Sequence, residues 1–148
     1  MNPVHRGHVS MMHQAKDRLV EAGYNVVTAY LSPSNDEYVQ PKCKKLETIG
    51  FSGKFRMEVV TRDGDGDTLV KPHSFETDAV GYWPDFPEVC KVIESEHKDS
   101  KVFYVCGTDH AKKCELLDGD GEDMDHYGIV VVPREGDELP EEKPENSV

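Results

Sequence analysis

Two histidines three residues apart, His5 and His8, lie in the run Asn2-Pro3-Val4-His5-Arg6-Gly7-His8, which leads straight into a stretch of helical periodicity. An imidazole can donate a hydrogen bond to an anion at neutral pH, and two of them can share its charge. Gly7, lacking a Cβ, lets the backbone come close. A helix N-terminus adjoining them adds unpaired N–H groups and the positive end of the peptide dipoles. Together these features suit the binding of phosphate. Spacing alone leaves a second reading equally open, in which the pair is surface chemistry without function.

The elements that would position such a site follow in order. Val9, Met12, Ala15, Leu19 and Ala22 recur every three or four residues with charged residues between, which predicts an amphipathic helix from His8 to Gly23. The β-branched and aromatic run Tyr24 to Leu31 predicts a strand closed by Ser32, Pro33, Ser34 and Asn35. Residues 39–54 read as a basic connection rich in Lys and Gly, and Phe55, Val59 and Val60 as a short helix ending near 63–67. A strand is expected from Thr68 to Phe75, a helix from about Glu88 to His97 after Pro84 and Pro87, and strands at Lys101 to Cys106 and Tyr127 to Val132. The GIVVV run in the last strand does not alternate, as expected of a parallel strand covered on both faces. Alternating helices and strands point to an α/β fold: a Rossmann-like open, mostly parallel sheet with helices on both faces and ligands at the carboxyl ends of the strands.

Composition narrows the field. With 148 residues, one domain is expected over 1–136, followed by an acidic, proline-bearing disordered tail over 137–148. The 17 basic against 29 acidic residues give a net charge of −12, which repels a nucleic-acid backbone and confines any phosphate site to a local patch. Solubility is the preferred explanation of the acidity, ahead of an acidic binding function. Cys43, Cys90, Cys106 and Cys114 form no CxxC pair and read as reduced thiols. No apolar run reaches the roughly 20 residues of a membrane span, and no signal segment opens the chain. An intracellular protein is expected, cytoplasmic or nuclear, with no membrane or nucleic-acid partner and with homo-oligomerisation left open.

Four further runs carry chemistry. Leu31-Ser32-Pro33-Ser34-Asn35-Asp36-Glu37-Tyr38 follows the first strand, with Lys42, Lys44 and Lys45 shortly after; Ser74-Phe75-Glu76, Cys106-Gly107-Thr108-Asp109 and Val131-Val132-Pro133-Arg134-Glu135-Gly136 follow or close the later ones. Taken with NPVHRGH, their order resembles the HxGH nucleotidyltransferase superfamily, and within it the eukaryotic nicotinamide or nicotinic acid mononucleotide adenylyltransferases. The resemblance runs over about residues 2–136 by scattered anchors. It implies transfer of an adenylyl group from ATP, with Mg²⁺, to the mononucleotide, giving NAD and pyrophosphate. His5 and His8 would be the catalytic pair. The nucleotides would be held by Asn2, Pro3, Gly7, Ser32, Asp36, Lys42, Phe75, Glu76, Gly107, Asp109 and Arg134. In this reading Phe75 stacks on the pyridine ring, although on its own it reads first as a core residue, and Asp109 meets ribose hydroxyls.

Two family features find no match: a first strand ending in Gly-Ser/Thr-Phe before Asn-Pro, and a Ser/Thr-Ser/Thr-x-x-Arg/Lys helix start that grips the triphosphate. The chain is thus expected to lack both. Another HxGH enzyme, a phosphopantetheine adenylyltransferase or cytidylyltransferase, and a non-catalytic or truncated nucleotide-binding remnant stand as alternatives. Asp63-Gly64-Asp65-Gly66-Asp67 and Asp118-Gly119-Asp120-Gly121-Glu122 open like EF-hand loops but lack the glycine and glutamate such loops need, so no protein-held metal is expected. P-loop, dinucleotide-fold glycine and G-x-S-x-G signatures find no match either.

Overall fold

The structure is a computed structural model that describes residues 1–63, 66–116, 124, 126–137 and 148. Both EF-hand-like runs lie partly or wholly outside these residues, as does almost all of the expected tail. The chain forms two compact units, one of residues 1–12 and 26–89, the other of residues 13–25 and 90–148.

Helix α1 (Arg6–Glu21) contributes its first residues to the first unit and the rest to the second. Its buried residues Met12, Ala15 and Leu19 keep the predicted spacing. It ends in a Schellman motif: Gly23 takes φ of 90°, its N–H donates to the Val20 carbonyl at 3.0 Å, and the Tyr24 N–H donates to the Leu19 carbonyl at 2.9 Å. Tyr24 therefore belongs to the helix cap, and the expected strand from Tyr24 shrinks to β1 (Ala29–Leu31).

In the first unit β1 pairs in parallel with β2 (Val70–Pro72), in the register Ala29↔Val70 and Leu31↔Pro72. Helix α2 (Asp36–Lys45) occupies much of the stretch expected as a basic connection, so Lys42 sits on a helix. Asn35 makes this possible. Its side-chain oxygen accepts from the Glu37 N–H at 2.8 Å, and its amide donates to the Glu76 and Ala79 carbonyls at 2.8 and 2.9 Å. One buried amide thus caps α2 and ties down the segment holding α4 (Phe75–Asp78). Asn35→Ala is expected to cost about 2 kcal/mol, a lost cap plus buried carbonyls left unpaired. Urea unfolding checks this; a change within ~0.5 kcal/mol contradicts it. Helix α3 (Gly53–Asp63) lies against β2, and Val60, Leu69 and Val70 are all buried. Phe75, expected at the end of a strand, opens α4 instead.

Helix α5 (Phe86–Glu96) starts two residues earlier than expected, with Pro87 in its first turn and Glu88 accepting from the Asp85 N–H at 3.0 Å. In the second unit β3 (Phe103–Gly107) pairs in parallel with β4 (Gly128–Val132), followed in sequence by α6 (Thr108–Lys113) after β3. All five β4 residues are buried, as their unbroken apolar run predicts. Gly128 is required there, because a Cβ would lie 2.2 Å from the Phe103 ring. Arg18 reaches the Val131 carbonyl at 2.8 Å and pins the second half of α1 to β4.

The protein is thus mixed α/β with parallel strand pairs. The expected single open sheet is met only in part, since among the described residues the hydrogen-bonded ladders are two separate pairs of two strands. Among the described residues, no helix is long and apolar enough to cross a membrane.

Candidate functional site

The residues ahead of α1 are held from two sides. Buried Val4 anchors the segment. Asn2 donates to the Ile49 carbonyl at 2.8 Å and to the Cys43 sulfur at 3.1 Å, and accepts from the Phe51 N–H at 2.9 Å. Asn2 and Pro3 are half-buried and His5 is exposed. Asn2 therefore acts on the backbone around residues 49–51, a structural bond that spacing could not reveal.

The two imidazoles meet with ring centroids 4.0 Å apart. The His5 N–H donates to His8 Nδ1 at 3.3 Å, and the Gly7 N–H donates to His5 Nδ1 at 3.1 Å. Each Nδ1 is an acceptor, so a neutral ring carries its proton on Nε2, and the pair stands beside the start of a 16-residue helix. Gly7 has a reason to be glycine: a Cβ would stand 2.9 Å from His5 Cε1 and displace the ring.

The turn after β1 is organised by Arg56, which is fully buried. Its guanidinium donates to the Phe51 carbonyl at 3.0 Å, to the Ser34 carbonyl, and to the Asp36 carboxylate. Hydrogen bonds from the Gly53 backbone and Arg56 hold the Asp36 carboxyl below its ordinary range even though its partial burial acts the other way. Asp36 is thus engaged with Arg56 and keeps its side chain 47% exposed. Lys42 lies 5.4 Å from the Tyr38 ring centre.

Glu76 is a half-buried acid of this region. Burial raises its pKa, while Ser32, the Met1 amino group, Ser34 and Arg56 oppose the shift. The Ser32 hydroxyl oxygen is shut off from solvent and has no hydrogen-bond partner of ordinary geometry, although it lies close enough to favour the ionised carboxylate. A raised pKa means that folding favours the protonated acid. This contribution is complete below the ordinary value of 4.5 and is lost as pH climbs through the higher folded value. Glu76→Gln should therefore match the wild type in urea unfolding at about pH 4 and exceed it at neutral pH. A gap between the two proteins that does not change with pH contradicts this assignment. Phe75, next to it, is half-buried rather than sealed in the core.

The second unit brings Gly107, Asp109 and Arg134 together. Gly107 caps α6 at the end of β3, and Arg134 donates to the Asp109 carboxylate at 3.1 Å. Both side chains are about three-quarters exposed, so the pair stays accessible and contributes little to stability. Asp137 accepts from the Arg134 N–H at 2.9 Å and fixes the backbone there. Comparison with known proteins finds no matching family model and no curated relative. The candidate residues thus fall into two groups: Asn2, Pro3, His5, Gly7, His8, Ser32, Asp36, Lys42, Phe75 and Glu76 belong to the first unit, and Gly107, Asp109 and Arg134 to the second.

Sequence reasoning missed Arg56 and Asn35. The signal for Arg56 was a cation set between Phe55 and Met57, and for Asn35 a capping residue ahead of Asp36 and Glu37. Among the described residues no three His, Cys, Asp or Glu side chains converge as a metal site.

Proposed function

We propose that this protein is an HxGH nucleotidyltransferase that adenylates nicotinamide or nicotinic acid mononucleotide with MgATP, in NAD biosynthesis. The observation that carries this reading is the His5–His8 pair, whose rings are 4.0 Å apart and whose Nδ1 atoms both accept backbone N–H groups at the mouth of α1. The fold that goes with it is a Rossmann-like open sheet, and both strand pairs are parallel, as that fold requires.

In the reaction a 5′-phosphate oxygen of the mononucleotide attacks the α-phosphorus of ATP. The new P–O bond forms as the bridging bond to the β-phosphate breaks, and pyrophosphate leaves. A phosphate monoester has its second pKa near ~6, so the nucleophile is already ionised and needs no general base. The protein's work is to hold two anions in line and to meet the charge that grows on the α- and β-phosphates. Donors on His5 and His8 and the N–H groups opening α1 suit that work. Mg²⁺ enters as part of MgATP, held by its phosphate oxygens. Phe75 offers a face for the pyridine ring, Ser32, Asp36, Lys42 and Glu76 the polar contacts around it, and Asp109 with Gly107 and Arg134 a place for a ribose. The setting is intracellular.

A substrate panel tests the reading. Pyrophosphate release from MgATP is expected with nicotinamide or nicotinic acid mononucleotide and not with phosphopantetheine, nor from MgCTP with a phosphomonoester. Release with phosphopantetheine or CTP alone would assign the site to a different HxGH enzyme, and no release with any acceptor would favour a non-catalytic nucleotide-binding protein.

A further inference from the structure

Helix α2 carries its charges in two blocks. Asp36 and Glu37 stand in its first turn and Lys42, Lys44 and Lys45 in its last, while Val39 and Cys43 are buried. Glu37, Pro41 and Lys44 follow one another at spacings of four and three, which sets them within about 60° of one another around the axis, on the side away from Val39 and Cys43. All three are exposed. Charges in this order also suit the dipole of the helix itself, and that alone would account for them.

The dipole does not account for the surface beside them. Tyr38 is 39% exposed and Trp83, the chain's one tryptophan, is 55% exposed, and their ring centroids lie 6.5 Å apart. Trp83 belongs to the loop after α4, which Asn35 ties to the start of α2 through the Ala79 carbonyl at 2.9 Å. Val80 and Tyr82 of the same loop are exposed as well. Large apolar side chains gathered at a surface mark a contact with another molecule, and tryptophan and tyrosine are among the residues that carry most of its energy.

We propose that this face of α2, with the loop 79–83 beside it, is a contact between two copies of this chain, packed as antiparallel α2 helices about a twofold axis. The order of charges selects the occupant. Turned end for end, a second α2 sets its Lys44 opposite Glu37 and its Glu37 opposite Lys44, so a copy of the helix matches it at both ends. A parallel copy would set Glu37 against Glu37. Pro41 lies near the axis, and the Tyr38 and Trp83 rings of both copies exclude water beside the ion pairs. The contact stands apart from the adenylyl-transfer reading and does not depend on it.

Sedimentation equilibrium of the full chain over a range of concentrations tests this. The wild type is expected to reach a mass twice that of the chain. E37K and K44E should each stay single where the wild type pairs, because each sets like charges together at both ends of the contact. An equimolar mixture of E37K and K44E should recover the doubled mass, since every cation then meets a carboxylate. Trp83→Ser should weaken pairing by at least about tenfold, the loss expected at a central aromatic contact. A wild type that stays single at every concentration, pairing that survives unweakened in E37K, K44E or W83S, or a mixture that stays single overturns the proposal. Should a charge reversal unfold the chain, E37Q and K44Q, which remove the ion pairs without setting like charges together, decide by the same measurement: weaker pairing supports the contact and unchanged pairing overturns it.

Discussion

His8→Ala is expected to lower adenylyl transfer by about 10²–10³-fold, the range found when one electrostatic donor to a developing charge is removed. His8 stands at the third residue of α1, and its Nδ1 takes up the His5 N–H, which places the proton of a neutral ring on Nε2. The His5 N–H bond that the substitution breaks is exposed, and urea unfolding of the variant separates a loss of turnover from a loss of fold. Pyrophosphate release by wild type and variant, each with unchanged far-ultraviolet dichroism, measures it. An unaltered rate would remove His8 from the chemistry.

The second large effect is on stability. Arg56→Met should cost about 3 kcal/mol, because the Ser34 and Phe51 carbonyls that face the guanidinium lose their donor at ~1–3 kcal/mol each. Asp36 adds little to this sum. Its side chain is 47% exposed and can turn to water once the cation is gone. Met fills most of the space, so the cavity contribution stays small. Urea unfolding reads the change, and a loss below ~1 kcal/mol would mean that Arg56 does not anchor the turn.

How far these features were legible in the sequence depends on the element. α1, α5, β3 and β4 stood out because an amphipathic period or an unbroken β-branched run leaves few alternatives. α2 and α6 did not. α2 carries Pro41 inside it, and both helices end without glycine: Glu47 and Glu115 take the left-handed conformation, with φ of 51° and 53°. Their caps are the same Schellman bonds as in α1, Thr48 N–H to the Cys43 carbonyl and Leu116 N–H to the Ala111 carbonyl. A residue type that rarely adopts positive φ gives no stop signal.

The candidate site divides in the same way. Two histidines flanking a glycine are visible in any reading, but the backbone bonds that set their tautomer depend on how the chain bends between Asn2 and His8. Arg56 was hidden because charged residues are expected outside unless paired, and its partners Ser34 and Asp36 are distant in sequence. Phe75 was legible as an aromatic residue after a strand, though not as the opening residue of α4.

Calorimetric titration with NAD, on the wild type and on a variant carrying His5→Gln and His8→Gln, tests the central claim most directly. The account predicts heat of binding with the wild type and its loss in the variant, with urea unfolding unchanged between the two. Equal binding by both proteins, or none by the wild type, would contradict it.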